Sequence, residues 1–403
     1  MKKLFLTVML IAGFTCSAFA QKANVVKAKK DATADTPDFK SAIAAIEAAL
    51  TDPTTKDQAE TWFTAGKVYT EMGDKEYKKQ ILKQPFDQDI YGSSIVKAYG
   101  YYSKAYDLDQ LPNEKGKIKP AYSKDIKSLF QTYYTDGSLI RYGSYLFDKK
   151  QFAGVVQAFD VYLAIPDLNM FKPGELKKDS TYKMVKYYAA IAAINGNDTV
   201  GSIKRLEALK GENYEVKNVY ELLYQQYYAK KDTVKYIAVL KEGFDKFPAE
   251  PFFMQNLINS LIYSGKTKEA LQYLDKAIAQ EPNVAQYRFV SGRLKEEAND
   301  FDGAKTAYEK ALELKTDYAE AENAIGRLYF NKAGAQMQIA NDIKDNVENK
   351  KKVDEAMNTF KQSLPYFLKA HQMNPTDAEL KSDLKKIYYR LRMDKEYEAL
   401  NNE

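Results

Sequence analysis

The sequence predicts an all-α fold, a solenoid of about nine helix pairs with one projecting helical hairpin. Three observations carry this. First, matched residue types recur at an interval of about 34 residues: Ala270 and Ala277 are followed by Pro282, Ala304 and Ala311 stand one interval further on, and Gly292 and Gly326 keep the same spacing. A fixed period of this length marks stacked supersecondary units. Second, the large apolar residues Leu257, Leu261, Leu274, Tyr308 and Tyr329 fall between the small ones at helical spacings. Third, Asn197, Gly265 and Asn299 stand where one helix must turn into the next, and each tolerates a positive φ.

Lys217, Pro251, Ala285 and Ala319 begin four consecutive units, and Asp198-Thr199-Val200 with Asp232-Thr233-Val234 extend the register back to a unit starting near Lys183. The small residues lie where helices of a pair cross, and the large ones fill the space beside them. One pair cannot bury its own apolar face, so each unit depends on its neighbours. Earlier units are more degenerate. Trp62, Gly66 and Tyr69 share a first helix whose second helix is displaced to Ala98, Tyr102 and Ala105, and a unit from about Asp136 carries Gly143, Leu146, Phe152, Phe159 and Tyr162.

This pattern resembles the tetratricopeptide repeat, in which Trp, Leu, Gly and Tyr mark the first helix and Ala, Phe, Ala and Pro the second. The resemblance runs over residues 37 to 400 and is clearest from 217 to 330. It implies a right-handed tetratricopeptide solenoid, divided here as follows. Degenerate helix pairs span 37–178, regular units span 179–377, and capping helices span 378–403 with Leu380, Leu384, Ile387 and Leu391 as their apolar stripe.

Two interruptions break the register. The unit at Ala319 reaches Ala370 and Pro375 about 25 residues late. Ala333, Met337, Ala340 and Val347, then Val353, Met357, Phe360, Leu364 and Phe367, keep heptad-like steps. They predict a hairpin near 331–353 with its turn at Asn346 to Lys352. The other interruption, near 70–97, has no clear period and includes Pro85-Phe86-Asp87 and Tyr91-Gly92. It is expected to be a loop.

Lys2 and Lys3, the apolar run Leu4 to Ala12, and Ala18-Phe19-Ala20 read as a cleaved signal peptide over 1–20. A flexible tail is expected over 21–36. The expected location is the periplasm or the exterior. Cys16 is the one cysteine, but Gly13 and Thr15 depart from a lipoprotein signal. The 60 basic and 55 acidic residues are interspersed, as on solvated helix faces, and leave no footprint of a nucleic-acid binder. No segment after the signal is apolar enough to span a membrane.

The chemical inventory points away from catalysis. His371 is the one histidine, which excludes a multi-histidine metal site or a catalytic triad within one chain. No glycine-rich phosphate loop occurs. The expectation is a non-enzymatic scaffold without cofactor, metal or catalytic residue, binding an unidentified protein or peptide. Alternatives are a periplasmic holdase or outer-membrane assembly factor, and a glycan or cell-wall binder suggested by 32 tyrosines. Asp179-Ser180-Thr181 and the two Asp-Thr-Val segments resemble O-glycosylation acceptors and also read as helix caps.

The family resemblance implies a concave groove lined by the second, fifth, ninth, twelfth and thirteenth positions of the first helices. Those positions hold Tyr187, Gln225, Tyr228, Phe252, Gln255, Asn259, Tyr263, Arg293, Asn323, Arg327 and Phe330. Aromatic, amide and guanidinium groups of this kind suit an extended peptide or a helix. The carboxylate clamp of chaperone-binding members is not expected, because only Asn259 of its asparagine and basic positions agrees.

Overall fold

The computed structural model describes residues 22–113 and 115–402, and every segment of regular structure among them is helical. The signal peptide expected over 1–20 lies outside the described residues. The chain forms two compact units, Met1–Lys230 and Lys231–Glu403.

In the first unit, α1 (residues 22–32) and α2 (Phe39–Thr51) precede the long pair α3 (Ala59–Ile81) and α4 (Gln88–Asp109). Then follow α5 (Ser123–Thr135), the pair α6 (Ser138–Asp148) and α7 (Phe152–Ala164), a short 3₁₀ turn at Ile165–Asp167, the pair α8 (Ser180–Asn195) and α9 (Thr199–Leu209), and α10 (Val216–Ala229). The second unit opens with α11 (Thr233–Lys246). It continues with the pairs α12 (Pro251–Tyr263) and α13 (Thr267–Gln280), α14 (Ala285–Glu297) and α15 (Phe301–Leu314), α16 (Ala319–Asn341) and α17 (Asn346–Met373), and α18 (Ala378–Leu391) and α19 (Asp394–Asn402).

The turns repeat with the sequence. Asn197, Lys231, Gly265 and Asn299 succeed one another at the repeat interval, and all have φ near +60°, at 59°, 58°, 68° and 60°. Asp198, Asp232 and Asp300 follow three of them and cap the next helix through Gly201, Lys235 and Gly303 N–H. Asp179 caps Thr181 and Tyr182 in the same way. All three Asp-Ser/Thr segments are therefore helix N-termini.

A second repeated device closes the pairs. A Cβ at Gly66 would stand 2.6 Å from the Tyr102 ring, at Gly292 2.5 Å from Tyr308, and at Gly326 2.8 Å from Phe367, with Gly143 against Phe159 closer still. In each case a glycine on the first helix admits an aromatic ring from the second. At the interval that separates Gly143 from Phe159, larger first-helix residues are matched with leucines, Ala190 with Leu206 and Ile258 with Leu274, the alanine and both leucines fully buried. Gly143 to Phe159 and Gly292 to Tyr308 span the same interval along the chain. Gly66 to Tyr102 exceeds it by about 20 residues and Gly326 to Phe367 by about 25 residues, the lengths of two insertions into the repeat. Along the chain both insertions fall between the two residues of such a lock, which places them at the turn end of the helix pair, beyond the contact.

Three expectations need correction. The segment 70–97 is not a loop: α3 and α4 run 23 and 22 residues and only 82–87 separates them. Their inserted turns meet through small and aromatic residues. A Cβ on Gly73 would lie 3.2 Å from Ser94 Cβ, and Tyr77 stacks on Tyr91 with centroids 5.6 Å apart. The buried Glu76 carboxylate accepts from Asp87 N–H at 2.8 Å and from Lys79 at 2.6 Å, which ties the tip to α3.

The expected flexible tail is helical over 22–32. Val25, Ala28 and Ala32, spaced three and four apart, are buried in one cluster with Ala42, Ala45 and Ile46 of α2 and Ala65 and Val68 of α3. In the second hairpin the turn falls at 342–345, earlier than expected. Asp345 accepts from Val347 and Glu348 N–H and so starts α17, leaving Val347 81% exposed instead of in the seam. The rest of that seam is as the spacing predicts, with Ala333, Phe360 and Phe367 buried and Met337, Met357 and Leu364 packed on them.

Helix α5 has no counterpart in the repeat. Asp109 at the end of α4 accepts from Ala121, Tyr122 and Ser123 N–H at 2.8, 2.8 and 2.9 Å and from the Ser123 hydroxyl at 2.7 Å. Burial pushes the Asp109 carboxyl up, but these donors favour the anion and hold it below the ordinary aspartate value.

Candidate groove of the first helices

The residues expected to line a groove fall into three groups. Gln225, Gln255, Asn259 and Arg293 are exposed on α10, α12 and α14, and Tyr228 and Tyr263 are 58% and 91% exposed. These face solvent. Tyr187 and Phe252 are half-buried among other rings: Tyr187 is tilted against Tyr214 at 5.8 Å, and Phe252 meets Phe253 edge-on at 5.3 Å. Burial, then the Glu215 carboxylate, raises the Tyr187 hydroxyl above its usual range.

The third group is engaged within the chain. Asn323 is buried and donates from Nδ2 to Asp383 Oδ2 at 3.1 Å, while Arg327 pairs with Glu379 at 2.7 Å. Phe330 lies edge-on to Phe360 and Phe367. Helix α18 covers this stretch of α16, with Glu379 and Asp383, four apart on one face, opposite Asn323 and Arg327, also four apart. Asn323 therefore reads as a capping contact and not as a groove residue. The sequence could not show this, because the path of α18 is set by tertiary packing.

The groove positions contain a cavity that the expected set misses. Ile140, Ser144, Phe147 and Asp148 on α6, with Met184, Val185 and Tyr188 on α8 and Phe159 on α7, enclose about 260 Å³. Ile140, Ser144, Phe147 and Asp148 are the fifth, ninth, twelfth and thirteenth residues counted from Asp136, and Met184 is the second from Lys183. The signal was present: the same positions applied to the unit at Asp136 name half of the lining residues. The walls are mainly apolar, Ser144 Oγ is turned onto Ile140 O at 3.0 Å, and Asp148 supplies one carboxylate at the edge of α6.

Among the described residues no group of three His, Cys, Asp or Glu side chains is placed to hold a metal, and no described helix is long and apolar enough to cross a membrane. What the surface offers is contact chemistry: apolar sockets, exposed amides and tyrosine edges.

A family model described as tetratricopeptide repeat matches residues 285–318, which are α14, α15 and the turn that follows. Residues 285–318 are a tetratricopeptide repeat. The positive-φ turns and the glycine–aromatic locks recur outside the matched unit. No curated protein matches the chain. Among solved structures it is similar to a TPR repeats protein from Bacteroides fragilis, at 16% identity over 64% of this chain and 99% of that one, TM-score 0.33. A tetratricopeptide repeat protein from Parabacteroides merdae matches at 12% identity over 55% and 78%, TM-score 0.39. MamA AMB-1 matches at 18% over 50% and 97%, TM-score 0.34.

Proposed function

We propose that this chain is a non-enzymatic tetratricopeptide-repeat scaffold that holds a segment of another protein against its first helices. Members of the family are protein-interaction scaffolds. The observation that supports the reading here is the cavity between α6 and α8, whose α6 wall is built from groove positions. An apolar side chain of the partner fills it, while exposed amides and rings such as Gln225 and Tyr228 contact the backbone around it. Apolar anchors in such pockets supply most of the affinity in protein interfaces. The protein acts in the bacterial cell envelope or outside the cell, a placement supported by the Lys2-Lys3 and Leu4 to Ala12 pattern and tested by fractionating the native host.

The test is affinity purification of the tagged chain from its native source beside a Phe147→Ala, Met184→Ala variant and a Tyr389→Ala control, whose side chain is exposed on α18. The expected result is one dominant partner whose capture falls at least about tenfold in the double variant and is unchanged in the control. Capture of many unfolded chains would replace the adaptor by a holdase. Absence of any enriched protein would remove the scaffold reading altogether.

A further inference from the structure

The insertion in α3 and α4 builds a second cleft, which the repeat alone does not supply. It encloses about 250 Å³ between the inserted turns and α5. Its lining holds two carboxylates, Asp74 and Asp136, and no lysine, arginine or histidine. Tyr77 and Tyr91, stacked at 5.6 Å, and Tyr133 supply aromatic wall. Ser94, also in the lining, is fully buried, and its Oγ has no hydrogen-bond partner among the described residues.

A buried hydroxyl without a partner costs stability, and a carboxylate pair without a lining cation is electrostatically open. Glu71 and Lys78 flank Asp74 outside the lining. Arg141, the other nearby cation, donates to the Asp136 carbonyl at 2.9 Å and lies by the Tyr91 hydroxyl. The Asp136 carboxylate uses Oδ1 to accept from Ser138 N–H at 2.8 Å. The cleft runs from exposed Asp74 and Tyr77 to buried Ser94.

We propose that this cleft binds an alkylammonium or alkylguanidinium group, its N–H bonds directed to Asp74, Asp136 and Ser94 Oγ and its alkyl stem along the edges of the stacked Tyr77 and Tyr91 rings. The carboxylates supply the charge match. The site is separate from the α6–α8 cavity and does not depend on it. The group comes either from a lysine or arginine side chain of a polypeptide or from a free diamine.

Isothermal titration of the full chain at low salt tests this. The probes are Nα-acetyl-lysine methylamide, Nα-acetyl-arginine methylamide and 1,4-diaminobutane, with Nα-acetyl-norleucine methylamide and methyl glucoside as neutral comparisons. The cationic probes are expected to bind saturably, about tenfold more weakly to Asp74→Asn, and unchanged to Asp302→Asn, an exposed control on α15. Tighter binding of the blocked amino acids identifies a polypeptide source, and tighter binding of the diamine a free amine. No saturable binding, equal binding of norleucine or the glucoside, or an Asp74→Asn variant of unchanged affinity would overturn the proposal.

Discussion

The α3–α4 and α16–α17 hairpins answer the same problem with different side chains. Both lengthen a helix pair outside its glycine–aromatic lock, by about 20 residues in the first and about 25 residues in the second. The second packs by conventional means, with Phe360 and Phe367 buried beside Met337, Met357 and Leu364 at heptad-like steps. The first brings Gly73 against Ser94 and Tyr77 against Tyr91, with Glu76 tying down the tip. Large apolar knobs produce a closed seam. Small residues and tyrosines produce close approach with polar atoms left inside, and a cleft beside it. The difference teaches that an apolar stripe is sufficient to make a hairpin and is not required for one.

The comparison breaks most sharply at the lock rings. Tyr102→Ala and Phe367→Ala each empty a fully buried site and should cost about 3–5 kcal/mol in urea unfolding. Tyr102→Ala should cost more, because its hydroxyl shares a 3.0 Å hydrogen bond with Thr70; equal losses would show that this bond adds nothing. Next, Gly66→Ala and Gly326→Ala should each cost about 1–3 kcal/mol by overpacking. Adding Phe367→Leu to Gly326→Ala should recover part of the loss, since that combination reproduces Ala190 with Leu206. A double variant no more stable than Gly326→Ala would mean that the ring is not the obstacle.

Acid sharpens the contrast between the hairpins. Asp109 and Glu76 are both held below their ordinary values: burial opposes, and hydrogen bonds to backbone N–H groups, with Ser123 and Lys79 respectively, prevail. A carboxyl lowered on folding stabilises the native state above its unfolded pKa, near 4, and that contribution is lost as pH falls through the folded value. Hydrogen exchange should therefore show the α3–α4 tip and the α4–α5 junction opening in acid before the α16–α17 seam. Asp109→Asn should lose about 1–3 kcal/mol at neutral pH and most of the acid sensitivity of that junction. The smallest effect belongs to Arg327→Ala, whose partner Glu379 is 69% exposed; about 0.2–1 kcal/mol is expected by urea unfolding.

Much of the fold was legible. The repeat interval located the turns at Asn197, Gly265 and Asn299, and the spacing from Ala333 to Phe367 located the second hairpin. The first was not, because helix-seeking periodicity counts aliphatic residues and this seam uses Gly73, Ser94 and Tyr91. The helix over 22–32 was missed for a related reason: Val25, Ala28 and Ala32 form a stripe too small to stand out among lysines. At the candidate groove, Asn259 and Tyr263 are exposed, as their local positions imply. Local position failed at Asn323, where burial is decided by contact with Asp383, on a helix far along the chain.

The placement of both insertions outside the glycine–aromatic contacts bears on how such a chain can be remodelled. Each lock closes its pair whatever lies beyond it, so a hairpin can be shortened or extended in matched turns on both helices without rebuilding the crossing. The insertions are appendages on finished joints. Removing one at that boundary should return an ordinary repeat, its lock partners at the interval that Gly143 and Phe159 already keep.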